Sequence, residues 1–122
     1  NLGFGEVWIS GEFALSKEAV ISAPHGLKNI DPFRCQFDVI FKCISDSNGY
    51  SPGDIGVGFC SASVANNVTR TLMNVPSLSD TSVQYNIGNN GIFGLQKNNG
   101  KLAIINTDAE LACWALIFRI FR

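Results

Sequence analysis

The chain has 122 residues, 46% of them hydrophobic and 16% charged, the profile of one folded domain rather than of a disordered segment. Nine Lys and Arg against ten Asp and Glu leave a formal net charge of -1, without the basic excess that phosphate contacts demand. The longest apolar run, Leu111–Phe118, stops at Arg119, well short of the roughly 20 residues that span a bilayer. Nucleic-acid binding and a membrane-spanning helix are therefore disfavoured.

The chain opens at Asn1 with neither an initiator Met nor a basic n-region, so a fragment or processed product is expected. In chain order, Glu6–Ala14 and Ala19–Ala23 read as strands joined by Leu15-Ser16-Lys17-Glu18. Phe33–Ser45 is the clearest element. Its odd positions are Phe33, Cys35, Phe37, Val39, Phe41 and Cys43; its even ones are Arg34, Gln36, Asp38, Ile40, Lys42 and Ile44. That alternation predicts a long β-strand with one buried face. Two sets of turn formers follow, Asp46-Ser47-Asn48-Gly49 and Ser51-Pro52-Gly53-Asp54.

Ile55–Val64 sets Ile55, Val57 and Phe59 on one face and Gly56, Gly58 and Cys60 on the other, so a neighbour is expected close to the second face. Val68–Val75 and Thr81–Ile87 are further strands. Gly88-Asn89-Asn90-Gly91 is a turn, and Asn98-Asn99-Gly100 a hairpin tip between Ile92–Lys97 and Lys101–Ile105. The C-terminal stretch is ambiguous. Thr107-Asp108-Ala109-Glu110 reads as a helix start, whereas the aromatic and β-branched content after Trp114 favours a strand. About eight strands with short connections predict an all-β, antiparallel β-sandwich of the jelly-roll type in a single domain over 1–122.

Little in this sequence points to catalysis. The one histidine, His25, lies in Ala23-Pro24-His25-Gly26-Leu27 and suits a strand-to-loop corner better than general-base work. The carboxylates Asp31, Asp38, Asp46, Asp54 and Asp80 sit mostly in turn-like contexts. Gly53-Asp54-Ile55-Gly56-Val57-Gly58 lacks the Gly-Lys-Ser/Thr of a phosphate loop. Asn67-Val68-Thr69 is a formal glycosylation sequon, and Asp46, Asn48 and Asp54 share a loop that could offer oxygens to calcium. Cys35, Cys43, Cys60 and Cys113 form no C-x-x-C pair and are expected as reduced, core-packed thiols. No enzyme activity, cofactor or metal site is expected.

Two features point instead to binding and assembly. Asn and Gly contribute 12 residues each and gather in loops, where Tyr50, Tyr85 and Phe93 would suit a recognition surface. Read as a strand, the C terminus is apolar on both faces: Trp114, Leu116, Phe118 and Ile120 on one, Ile117 and Phe121 on the other. A sandwich strand needs only one apolar face, so the second is expected to meet another copy of the chain. Arg119 on that face would be an interfacial cation needing a carboxylate, a carbonyl or a small anionic ligand between subunits.

The run Ile21-Ser22-Ala23-Pro24-His25-Gly26-Leu27, the strand ending Cys43-Ile44-Ser45, and Asn48-Gly49-Tyr50-Ser51-Pro52-Gly53-Asp54 resemble the C-terminal head domains of bacteriophage tail fibres and needles. Val83-Gln84-Tyr85, Gly91-Ile92-Phe93, Lys97-Asn98-Asn99-Gly100 and the terminal strand with Trp114 and Arg119 extend the resemblance over residues 21–122. Within that group the chain resembles the knob of a tail needle from short-tailed enterobacterial phages. That resemblance implies a homotrimeric, tumour-necrosis-factor-like jelly roll at the end of a longer fibrous protein, joined to phage tail and portal proteins through a stalk. It implies a part in genome retention and ejection, contact with the host cell surface, and a place in the virion after assembly in the bacterial cytoplasm. In such a trimer Ile117, Arg119 and Phe121 would lie near the threefold axis; the resemblance supplies no receptor site, and the binding candidates Tyr50, Tyr85 and Arg119 rest on the loop and strand readings above. The rival readings are a lectin-like receptor-binding fibre head, a cellular cytokine- or complement-type trimeric head, and a glycan hydrolase.

Overall fold

The computed structural model describes residues 5–56, 58–65, 68–71 and 76–122. Twelve strands and one helical turn run in the order β1 (Val7–Ile9), β2 (Phe13–Ala14), β3 (Val20–Pro24), β4 (Gln36–Cys43), β5 (Ile55–Gly56), β6 (Cys60–Ala65), β7 (Val68–Thr71), β8 (Ser77–Leu78), β9 (Ser82–Asn86), β10 (Ile92–Leu95), β11 (Leu102–Ile105), α1 (Asp108–Leu111) and β12 (Trp114–Phe121) among the described residues. Every strand pairing among them is antiparallel. One sheet runs β1-β12-β4-β5, with β2 also on β12; the others are β11-β10-β6-β7 and β3-β9-β8. The protein is all-β, and its sheets close on one apolar core as in a β-sandwich.

The core explains which alternations survive. On β12 the even positions Trp114, Leu116, Phe118 and Ile120 are all buried, and Phe41 and Cys43 of β4, Val83 and Tyr85 of β9, Ile92 of β10 and Ile105 of β11 join them. Phe41 packs edge-on to Tyr85 at 6.0 Å and stacks on Phe59 at 6.1 Å, so side chains from separate sheets meet at the centre.

The expected strand over Glu6–Ala14 is divided, and the register shows why. Ile9 pairs with Arg119 and Phe13 with Leu116, so four steps on the edge strand match three on β12. One extra residue is a β-bulge. Ser10 secures it: its amide donates to the Phe118 carbonyl at 2.9 Å, and its hydroxyl accepts from the Phe118 amide at 2.9 Å. The parity shift lets Trp8 and Phe13, an odd number of residues apart, both pack on the core.

Ile55–Val64 is likewise two strands. Gly58 takes φ +78°, a left-handed turn that carries the chain from β5, paired with β4, to β6, paired with β10 and β7. The close approach expected at Gly56 is present: a Cβ there would meet the Phe59 ring at 2.9 Å. Val57 lies outside the described residues, as do 72–75 of the strand expected at Val68–Val75 and Asn67 of the sequon.

The long central strand is shorter than its alternation predicts. Phe33 is 96% exposed rather than buried, because its amide is captured by the Asp31 carboxylate at 3.0 Å in a turn before β4 begins. Both readings of the C terminus hold in part. Thr107 caps one helical turn, its hydroxyl accepting from the Glu110 amide at 3.1 Å and donating to Glu110 Oε1 at 2.9 Å. The strand favoured by composition then begins at Trp114.

The four cysteines stand free, with Cys43 buried and the other three half-buried. Burial pushes the Cys43 thiol up, with smaller contributions from Cys113, Asp54 and Asp46, which keeps it the unreactive form. We expect maleimide at neutral pH to modify Cys43 last, and only as the fold opens. Mass spectrometry of the native protein checks this; early labelling of Cys43 would contradict the core placement.

Candidate functional site

Because β12 is central in its sheet and side chains alternate across a strand, its odd positions form an outer face. Ile117 pairs across with Ile40, Arg119 with Asp38, and Phe121 with Gln36, while Val7 and Ile9 flank Phe121 and Arg119 on the other side. Val7 is 52% and Ile9 59% exposed; Ile40, Ile117 and Phe121 are half-buried. The second apolar face expected of the terminal strand is thus present and extends across three strands.

Arg119 meets its counter-charge within the chain. Its Nε donates to Asp38 Oδ1 at 2.9 Å and its Nη2 to Asp38 Oδ2 at 2.7 Å, a two-pronged pair. The same guanidinium lies 5.2 Å from the Phe121 ring centroid, within cation–π range. The bond to Asp38 holds Arg119 still more firmly charged than usual. One further ion pair lies on the face, Lys42 to Glu12 at 3.3 Å, while Arg122 to Glu6 at 2.9 Å closes the end of β12 at a position of inward parity. Two carboxylates, Asp38 and Glu12, are matched by two cations, Arg119 and Lys42, so the charges on this apolar face cancel in pairs. Asp38 supplies what a small anion would otherwise have had to supply at Arg119.

Tyr85 is not at the surface. Its side chain is 3% exposed, and burial pushes its hydroxyl up to about 12; a core tyrosine between Val83 and Ile87 cannot grip a ligand. The alternation Val83, Tyr85, Ile87 was the signal that could have placed it inside. Tyr50 is half-buried and structural on one side. Its hydroxyl donates to the Leu95 carbonyl at 2.8 Å, and its ring stands edge-on to Trp114 at 5.2 Å and Phe59 at 5.6 Å. Around it, Asp46, Ser47, Asn48, Gly49 and Ser51 line a shallow concavity of about 360 Å³.

That loop is clamped to the β10–β11 hairpin. Lys97 Nζ donates to Asp54 Oδ2 at 2.7 Å, the Lys97 amide donates to the Asn48 carbonyl at 3.0 Å, and the Ser51 amide donates to Asp54 Oδ2 at 2.9 Å. The Lys97 hydrogen bond, then the Ser51 amide, hold the Asp54 carboxyl below its ordinary 3.8. Asp54 therefore stabilises the clamp while ionised, and that contribution fades only as pH falls through its folded-state pKa, below 3.8. Carboxyl NMR titration should give a midpoint below 3.8 for Asp54 that rises in Lys97→Met. A midpoint at or above 3.8 in the native protein would contradict the clamp.

His25 shapes a corner, as its context predicts. It is 3% exposed; its Nδ1 accepts from the Leu27 amide at 3.0 Å, and its Nε2 donates to the Ser79 carbonyl at 3.0 Å. Gly26, at φ +67°, turns the chain between them. Both ring nitrogens are committed to backbone, so His25 itself is not free to act as a general base. Among the described residues no group of three or more His, Cys, Asp or Glu side chains is placed to hold a metal ion. Nor is any helix there long and apolar enough to cross a membrane.

Asp38 stands mid-strand, as the alternation of Phe33–Ser45 predicts, but its partnership with Arg119 is what sequence reasoning missed. Comparisons with protein-family models, with curated proteins and with solved structures found no match to this chain.

Proposed function

We propose that this domain is the distal, homotrimeric knob of a phage tail needle, a jelly roll of the tumour-necrosis-factor type that takes part in genome retention and ejection and in contact with the host envelope. The observation that carries this reading is the outer face of the β1–β12–β4 sheet. Apolar side chains line it, its charges cancel in pairs, and exposed Val7 and Ile9 continue it to the edge strand. A face of that composition favours burial against another copy of the chain more than a solvated ligand. The residues behind the resemblance also have structural roles that suit a rigid head: His25 and Gly26 turn a corner, Tyr50 and Asp54 clamp a loop, and Trp114 anchors that loop. In this reading the head acts through geometry, since three weak contacts on one rigid body gain avidity on a repetitive surface.

The test is placement in the particle. Antibodies raised against this domain should decorate the distal tip of the tail in electron micrographs of the phage that encodes it. Labelling of the capsid, or of no virion structure, would reject the assignment.

A second reading, a lectin-like receptor-binding head, draws on the concavity at Asp46–Ser51. Tyr50→Ala would test it poorly, because Tyr50 also supports Trp114 and Phe59. Asp46→Ala leaves that packing alone, and loss of glycan-array signal in that variant would favour the lectin reading.

A further inference from the structure

The turn before β4 holds Phe33 out in water. At 96% exposure it is the least covered of the large hydrophobic side chains described, and the turn is tied rather than loose. The Phe33 amide donates to Asp31 Oδ1 at 3.0 Å, the Arg34 amide to the Asp31 carbonyl at 2.9 Å, and Arg34 Nε lies 3.6 Å from Asp31 Oδ2. Pro32 between them fixes its own φ. The turn so tied presents its phenylalanine to solvent, away from the domain's own core.

The same end of the molecule carries the open part of the apolar face. Gln36, three residues beyond Phe33, pairs with Phe121, which pairs in turn with Val7. Arg122 Nη1 donates to the Lys28 carbonyl at 2.5 Å, which ties the loop holding Phe33 to the end of β12. One chain therefore bears, at one level, an apolar projection and an uncovered apolar strip formed by Val7 and Ile9. It does not join them itself. In a cyclic assembly each contact is heterologous, so a projection on one copy faces a different patch on the next, and the series closes into a ring. The cation beside the projection, Arg34, brings its own counter-charge in Asp31, and the charges nearest the strip, Arg119 and Asp38, are already paired.

We propose that Phe33 of each copy seats on Val7 and Ile9 of the adjacent copy, making the turn at Asp31–Arg34 an intersubunit anchor. This inference rests on the trimeric reading above and adds the contact that closes it. Phe33→Ser removes an exposed side chain, so each chain keeps its fold, as circular dichroism would verify. Burying a phenylalanine shifts an equilibrium by more than about tenfold per contact, so losing three should raise the trimer dissociation constant by about a thousandfold.

Sedimentation equilibrium on wild type and Phe33→Ser reads that change. A benzoylphenylalanine photocrosslinker in place of Phe33 should join one chain to another at the peptide containing Val7–Ile9. A stable wild-type trimer with Phe33→Ser unchanged, or crosslinks elsewhere, would overturn the anchor and leave the trimer standing. A wild-type monomer at every concentration would overturn both. If Phe33→Ser leaves the trimer intact but abolishes co-sedimentation with phosphatidylglycerol vesicles, Phe33 is a membrane contact and the anchor is wrong.

Discussion

Trp114→Ala is expected to cost about 3–5 kcal/mol of stability, the range for removing a buried tryptophan. The side chain is 1% exposed and is the largest among those fully buried. Its ring lies 4.9 Å from Phe59 and 5.2 Å from Tyr50, and its Nε1 donates to Ser47 Oγ at 3.0 Å. One side chain thus joins β12 to the loop at Ser47–Tyr50 and to the crossing between β5 and β6. At about 4 °C per kcal/mol for a domain of this size, the melting temperature should fall by roughly 12–20 °C. Trp114→Phe keeps much of the packing but leaves Ser47 without that donor, and should lose less. Calorimetry at one fixed protein concentration checks both, since association shifts apparent stability. A Trp114→Ala variant within about 1 kcal/mol of wild type would show that the loop is not hung from this ring.

Gly91→Ala is expected to be nearly as damaging, for a different reason. Gly91 adopts φ +73°, and a Cβ there would overlap the Ile105 carbonyl oxygen, a backbone atom that cannot swing aside. The Gly88–Gly91 turn is wedged between strands. The Ala62 amide donates to the Gly91 carbonyl at 2.9 Å, and the Asn90 amide to the Ala62 carbonyl at 3.0 Å. Left-handed strain of about 1–2 kcal/mol adds to overpacking of about 1–3 kcal/mol, giving a loss of roughly 2–5 kcal/mol. Gly100 supplies the control. Its φ of +69° is almost the same, but nothing lies within 4 Å of the added Cβ, so Gly100→Ala should lose only the strain of about 1–2 kcal/mol. Urea unfolding of the pair separates strain from overlap. Equal losses would mean that the turn is not wedged.

The contrast between those glycines also shows what could be read in advance. Both were legible as turn formers, but the steric need at Gly91 comes from Ile105, fourteen residues later, and no local pattern contains it. Alternation named the inward faces of β4 and β12 correctly because both strands are long and share one buried side. It failed at Phe33, where Asp31 captures the amide before the strand begins. The single strand read over Glu6–Ala14 is two, because the bulge at Ser10 reverses parity between them. The outer apolar face was visible in Ile117 and Phe121, yet its extension to Val7 and Ile9 depended on the register of β1 with β12. Asp38 and Arg119 lie 81 positions apart, and only strand register makes them partners.

The central claim is that the outer face of the β1–β12–β4 sheet is a surface between copies of this chain. Native mass spectrometry, repeated over a range of concentrations, tests it most directly. The claim predicts a particle of three times the 13.2 kDa chain mass in wild type, and a folded single chain in Ile117→Asp, which puts an unpaired charge into the buried contact. A wild-type protein that stays a folded monomer at every concentration would contradict it.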